Sequence, residues 1–194
     1  MYMEDAVAEF MDEGHGIRHE PLMHNFFIIA GPATDPAQAK GTDAVSALQK
    51  IAAGKHRFVS RGDDSGTHKR EQLLWQKVEC RPEWHDYVEI GQGMGPTLIM
   101  ADEMNAYVLT DEGTWLKQSD NFQLVPLVKG ADDLKNPYAV MVVNPEKSSA
   151  INADLANRFS DFLISERAQE LIANYEINGH RLFHPDRLKQ ETPE

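Results

Sequence analysis

The sequence has a single cysteine, Cys80, so it offers neither an internal disulfide nor a thiolate-rich metal site. It also has no long hydrophobic run. The longest apolar stretch, residues 26–30, is far shorter than the ~20 residues that a membrane-spanning helix needs. The first twenty residues carry acids where a signal peptide carries basic residues and an apolar core. These absences predict a protein without a membrane span that is either cytoplasmic or has had a leader removed.

Positive charge is scarce as well. The 194 residues include 19 Lys and Arg against 31 Asp and Glu, which gives a net charge of -12. A negative field of that size repels nucleic acid and anionic membranes, so we expect no nucleic-acid partner. An anionic ligand would have to be captured by a local arrangement of donors. Because 41% of the residues are hydrophobic and 26% are charged, the composition is that of a globular protein.

Strand-like and helix-like segments alternate along the chain. A continuous apolar run ends the segment 22–30, and another makes up the whole segment 138–143. Such runs are typical of strands covered on both faces. Residues 43–53 have a helical pattern, with Thr42 or Asp43 as the capping residue at its start and Gly54 at its end. This alternation predicts an α/β architecture with mainly parallel sheets, and the two long apolar strands suggest crossings between two lobes.

The loop SRGDDSGTH, residues 60–68, contains the parts of an anion pocket. It joins a predicted strand to a helix that begins near Gly66, where free backbone N–H groups and the helix dipole favour negative charge. Arg61 supplies a fork of donors that matches two oxygens, while Ser65 and Thr67 supply hydroxyls. From the motif alone, a second interpretation is equally open: Asp64 or Ser65 caps the helix, and Arg61 neutralises Asp63 or Asp64.

A second glycine loop, GQGMG at residues 91–95, has the same order of strand, loop and helix, with Pro96 in the first helical turn. It matches a dinucleotide-binding fingerprint only in its density of glycine. The loop is either a tight turn, a loop near a hinge, or a second set of backbone donors that faces the first. In the last case, Gly93 and Met94 are the candidate contacts.

Catalytic and metal-binding interpretations have less support. The segment GDDSG superficially resembles the nucleophile segment of trypsin-like proteases, but the paired disulfides are absent, no GxSxG elbow occurs, and His68 lies only three residues from Ser65. The phosphate-binding pattern GxxxxGK[ST] is absent too. Only His180 and His184 have the spacing of ligands on one helix face, in a segment that does not favour a helix. We predict no catalytic residue, no metal site and no cofactor.

Five segments together resemble one protein family: HNFFIIAGP, SRGDDSGTHKRE, YVEIGQGMGPTLIMADEMNAYVLTDEGTW, NPYAVMVVNPEK and YEINGHRLFHP. They are similar to the tungstate-binding component of bacterial ABC importers, a family of type II periplasmic solute-binding proteins. The resemblance implies a two-lobed protein that binds a tetrahedral oxyanion, tungstate or molybdate, in a cleft and delivers it to an ABC permease. It further implies that Arg61 and Thr67 contact the oxyanion, with contributions from Ser65 and Gly66.

By this resemblance, residues 1–32 and 138–194 form lobe I, and residues 33–137 form lobe II with the RGDDSGT loop. Family members begin with a signal peptide, a first strand and a Thr/Ser-rich loop that supplies further oxyanion contacts. These features do not precede Met1, so we expect an incomplete lobe I whose exposed sheet edge pairs with a second copy in a homodimer.

The resemblance implies a periplasmic location, whereas a naturally shortened chain without a leader would be cytoplasmic. The alternative function is that of a truncated relative that binds no oxyanion and acts as an interaction or signalling domain. An enzyme is the third possibility.

Overall fold

The computed structural model describes residues 3–188, with side chains from residue 7 onward. Its helices and strands alternate along the chain. In chain order they are α1 (Met3–Asp12), β1 (Gly16–Gly31), α2 (Ala44–Ala53), β2 (Phe58–Ser60), α3 (Gly66–Lys77), β3 (Tyr87–Glu89), α4 (Met94–Met104), β4 (Tyr107–Asp111), α5 (Glu112–Gln118), β5 (Val125–Val128), β6 (Lys135–Val143), α6 (Ala153–Leu163), α7 (Glu166–Ala173), β7 (Glu176–Ile177), β8 (His180–Arg181) and β9 (His184–Pro185). This order confirms the predicted α/β class.

The chain forms two compact units, of which the middle one is Phe26–Asn136 and the other combines the chain before and after it. The expected boundaries were after residues 32 and 137. The first boundary instead lies between Asn25 and Phe26, because Phe27 and the four residues after it pair with β4 and β5. The second half of β1 therefore belongs to the middle unit.

The sheet of the middle unit has the strand order β3-β2-β4-β1-β5. Strand β2 runs parallel to both β3 and β4, as the strand-helix-strand order predicts. Strand β1 runs antiparallel to β4 and β5. The parallel part of the sheet is the part that carries the two glycine loops.

Both faces of this sheet are covered by helices. Successive side chains of a strand point to opposite faces, so Phe58 of β2 belongs to one hydrophobic cluster and Val59 to the other. Residues of α2 and α3, including Leu48 and Trp75, pack in the cluster of Phe58, and Leu98 of α4 packs in that of Val59. This burial on two faces explains the continuous apolar run in β1.

In the other unit, β6 was predicted to be a buried strand, and this prediction is wrong. The strand forms and pairs with β1, but Tyr138, Met141 and Val143 are more than a third exposed, and Val142 is buried. The neighbouring helix α6 likewise exposes about half of Leu155, Phe159 and Phe162. Apolar composition predicted the strand correctly, but its burial depends on other elements packing against both of its faces.

No helix in the described part of the chain combines the length and the apolar character that a membrane crossing requires.

Candidate anion-binding site

The two glycine loops lie side by side at one edge of the middle unit's sheet. Because β2 and β3 are parallel neighbours, their carboxyl ends meet at the same edge, which is where ligands bind in open α/β sheets. The Ile90 N–H donates to the carbonyl oxygen of Ser60 over 3.2 Å, and this hydrogen bond joins the two strand ends. The structure therefore brings together the two segments that were singled out independently in the sequence.

Gly62 allows the first loop to approach the second. Its φ is +61°, a left-handed conformation that other residues rarely adopt. A Cβ atom at this position would lie 2.8 Å from the Cβ of Glu89, at the end of β3. Both the backbone conformation and the close contact therefore require glycine here.

Arg61, the predicted cationic contact, follows β2 directly and forms an ion pair with Asp63. An Nη atom of Arg61 lies 2.5 Å from a carboxylate oxygen of Asp63, and both side chains are largely buried. Burial would raise the pKa of Asp63, but hydrogen bonds from Ser65 and Arg61 outweigh it and lower that pKa to about 2. Among the described residues, the buried Nε of Arg61 has no hydrogen-bond partner. The ion pair with Asp63 thus fixes the guanidinium group and does not use all of its N–H donors.

Ser65, Gly66 and Thr67 form the start of α3. The Ser65 hydroxyl caps the helix by accepting the N–H of His68 over 3.3 Å. The N–H groups of Gly66 and Thr67 have no partner inside the helix, and the space beside Gly66 is open. The capping interpretation of this loop is therefore correct, with Ser65 as the cap and Asp63 as the partner of Arg61, and the same geometry leaves backbone donors available for an anion.

The second loop also ends in a helix start. Helix α4 begins at Met94, two residues before the predicted Pro96, and Gly93 precedes it without a side-chain cap. The N–H groups of Met94 and Gly95 have no partner inside α4, and Pro96 has no N–H at all. A second pair of backbone donors therefore lies at the same sheet edge as α3.

A third helix start, which was not predicted, lies at this edge. Asp111 ends β4 and caps α5, with its carboxylate accepting the N–H and the hydroxyl of Thr114, each over 2.7 Å. The spacing of Asp111 and Thr114 after a predicted strand is the signal that could have identified the cap.

Two polar residues of α3 that were not predicted as site residues are buried. His68 and Glu71 are 7% and 2% exposed. Oε1 of Glu71 accepts hydrogen bonds from the Tyr87 hydroxyl over 2.7 Å and from the Trp75 indole N–H over 3.1 Å. Burial outweighs these bonds and raises the pKa of Glu71 to about 7. Sequence periodicity alone does not distinguish such buried polar residues from exposed ones.

Comparison with known proteins shows the family of this chain. A family model described as a PBP superfamily domain matches residues 2–167. The tungstate-binding protein TupA of Peptoclostridium acidaminophilum is 44% identical over 194 residues, which cover 97% of this chain and 68% of the relative. The chain belongs to the TupA family of the PBP superfamily. This assignment confirms the resemblance found in the sequence.

Solved structures support the same family. The TupA tungstate-binding protein of Desulfovibrio alaskensis G20 is 39% identical and superimposes with a TM-score of 0.88, over 96% of this chain and 77% of that one. A relative from Haloferax volcanii is 43% identical over 98% of this chain, and the chain spans 57% of that relative's length. The chain therefore corresponds to a large part, but not the whole, of its relatives.

No group of three or more His, Cys, Asp or Glu side chains with the geometry of a metal site occurs within residues 3–188.

Proposed function

We propose that this chain binds a tetrahedral oxyanion, tungstate or molybdate, at the edge formed by the two glycine loops, and delivers it to an ABC permease. One observation carries the proposal: the free N–H groups at the starts of α3 and α4 lie at one sheet edge, next to Arg61. Membership of the TupA family supports tungstate as the ligand, since two relatives are named for binding it.

In this proposal, each contact has a defined role. Arg61 donates from its fork of N–H groups to two oxygens of the anion. Gly66 and Thr67 donate their backbone N–H groups, and the hydroxyls of Thr67 and Ser65 add further donors. Charge-assisted hydrogen bonds contribute about 1.5–3 kcal/mol each, so four or five of them offset the costs of binding and give micromolar or tighter affinity.

The second loop contributes through Gly93 and Met94. With the dipoles of α3 and α4 both directed at the anion, the site compensates negative charge even in a chain whose net charge is -12. Sulfate is smaller than tungstate, so donors fixed at tungstate spacing lose contacts to it. Tungstate and molybdate have the same charge and nearly the same size, and we expect this site to bind both.

The rest of the proposal follows from the family. The two compact units act as the two lobes of a solute-binding protein, the location is periplasmic, and the partner is the permease of an ABC importer. The relatives are named as binding proteins, so binding and release constitute the whole activity and no catalytic residue is assigned.

Calorimetric titration with tungstate, molybdate and sulfate tests the proposal. We expect tungstate and molybdate to bind with micromolar or tighter affinity and sulfate at least about tenfold more weakly. Arg61→Gln removes two charge-assisted bonds and should weaken tungstate binding by about a hundredfold or more.

Arg57→Gln is the matched control, because Arg57 precedes the opposite end of β2 and donates to the Met104 carbonyl oxygen. It makes the same change of charge away from the site and should leave the affinity unchanged. Absence of binding heat with all three anions would overturn the proposal, and equal losses for Arg61→Gln and Arg57→Gln would refute the assigned site.

A further inference from the structure

Asp64 has an unusual backbone conformation at the centre of the first loop. Its φ is +58°, in the left-handed region that aspartate adopts more readily than most residues but less readily than glycine. The Asp64 side chain is exposed, and its only ion pair in the described structure is a 3.7 Å contact with Lys69. A contact that holds this backbone conformation therefore stabilises the loop relative to ordinary backbone conformations.

His68 supplies that contact. The Asp64 backbone N–H donates to Nδ1 of His68 over 3.0 Å. His68 lies in the first turn of α3, where its buried ring reaches back under the loop. The His68 side chain, in the first turn of α3, thus holds the backbone of Asp64, which precedes the capping Ser65.

This hydrogen bond defines the tautomer of His68. Because Nδ1 accepts a hydrogen bond, the ring proton of the neutral imidazole is on Nε2. Nε2 lies 3.1 Å from the side-chain nitrogen of Gln72. Flipping the Gln72 amide exchanges its nitrogen and oxygen, and the oxygen then accepts the Nε2 proton. Nε2 is also 3.7 Å from Oε1 of Glu89, at the end of β3. His68 therefore lies between the first loop and the strand that leads to the second loop.

We propose that His68 is a positioning residue of the anion site: as the neutral Nε2–H tautomer, it holds Asp64 in the left-handed conformation and thereby orients Arg61 and the start of α3. The inference rests on the proposed oxyanion function. It concerns a residue that needs no contact with the anion. When the acceptor at Nδ1 is lost, the loop relaxes toward ordinary backbone conformations, and the donors of Arg61 and Gly66 no longer converge.

Three variants test this role by tungstate titration. His68→Phe keeps an aromatic ring but removes the acceptor, and we expect binding to weaken at least tenfold. His68→Asn places an amide oxygen near the position of Nδ1 and should recover most of that loss. The double variant His68→Phe with Asp64→Gly should also recover binding, because glycine adopts the left-handed conformation without help.

The rescue by Asp64→Gly distinguishes positioning from simple packing. If His68 only filled space beneath the loop, a glycine at residue 64 would not restore affinity. Unchanged binding by His68→Phe, or failure of both rescues in folded variants, would overturn the inference while leaving the proposed function intact. If the wild-type chain binds no oxyanion, the proposed function fails and the inference fails with it.

A measurement without ligand tests the geometry even if His68→Phe does not fold. Long-range ¹H–¹⁵N correlation spectra of the wild-type protein report which ring nitrogen carries the proton. We expect a protonated Nε2 and an unprotonated, hydrogen-bonded Nδ1 in His68. A proton on Nδ1 would contradict the hydrogen bond from Asp64 and overturn the proposal.

Discussion

Arg61 is paired with a carboxylate of its own loop, that of Asp63. Because the pKa of Asp63 is about 2, the carboxylate is ionised throughout the physiological range, and the ion pair persists with it. A guanidinium has five N–H donors, so the bond to Asp63 leaves others free, among them the Nε group. Asp63 thus fixes the direction of Arg61 and reduces the side-chain entropy that anion binding would otherwise cost.

Arg61→Lys tests whether the shape of the guanidinium matters beyond its charge. Lysine keeps the positive charge but has no planar fork, so it cannot bond to Asp63 and to two anion oxygens in the same way. We expect tungstate affinity to fall by about tenfold, less than for Arg61→Gln, as measured by calorimetry. Wild-type affinity in this variant would show that a point charge is sufficient.

Glu71 gives the stability of the protein a pH dependence. Its pKa is raised from 4.5 to about 7 by burial, so the folded state binds its proton more tightly than the unfolded state does. The resulting stabilisation is complete below pH 4.5 and is lost as the pH rises through 7. At pH 8 the ionised, buried carboxylate costs on the order of 3 kcal/mol.

Glu71→Gln should therefore increase the free energy of unfolding at pH 8 by about 2–3 kcal/mol and change it little at pH 4.5. The amide oxygen can still accept hydrogen bonds from Tyr87 and Trp75. Urea unfolding at both pH values measures the effect, and Glu170→Gln on the exposed face of α7 is the control. Equal changes at the two pH values would contradict the assignment to Glu71.

At the scale of elements, each donor set is created by a tight turn from a strand into a helix. Between β2 and α3, Gly62 and Asp64 both have positive φ, and the Ser65 hydroxyl then caps the helix. This sequence of turns reverses the chain within five residues and leaves the first N–H groups of α3 pointing outward from the sheet edge.

Gly62→Ala should disrupt this turn. The added Cβ would sit in a left-handed conformation, 2.8 Å from the Glu89 Cβ, so the loop or the end of β3 must move. We expect a loss of about 2 kcal/mol in thermal or urea unfolding, together with weaker tungstate binding.

Gly66→Ala is the matched control for stability, because its φ is not positive and nothing lies within 4 Å of the added Cβ. Its free energy of unfolding should be unchanged or slightly higher, since alanine favours helices. Equal destabilisation by the two substitutions would show that the close contact with Glu89 is not the cause.

At the scale of the whole molecule, apolar side chains remain exposed on α6 and β6. Leu155, Phe159 and Phe162 recur at helical spacing and form one exposed stripe, although α6 is strongly amphipathic. Within the described residues, β6 pairs with β1. Exposed apolar patches such as this stripe favour association with another copy. We propose a homodimer that covers these surfaces.

Sedimentation velocity tests the association. We expect a dimer or larger species that shifts toward monomer when Phe159 and Phe162 are both replaced by Glu, because the charges oppose burial of the stripe. Arg158→Glu, an exposed position on the same helix, changes charge without removing apolar surface and should have a smaller effect. A wild-type protein that remains monomeric at high concentration would contradict the proposed homodimer.

Local chemistry made much of the fold and of the candidate site predictable. The caps at Asp43 and Ser65 and the glycine loops act over a few residues, so the starts of α2 and α3 follow from the sequence with little context. The same holds for the order of strand, loop and helix around Arg61. The family was also identified from the sequence, because long motifs and their order can be read without knowing how the elements pack.

Only the tertiary structure decided which of these local features meet. The two loops lie together because β2 and β3 are parallel neighbours, a pairing between segments separated by a whole helix. The same packing buries Glu71, places His68 beneath Asp64 and leaves β6 half-exposed despite its apolar sequence. Turns and caps depend on nearest neighbours in the chain, whereas burial and pairing depend on elements that are distant in sequence and close in space.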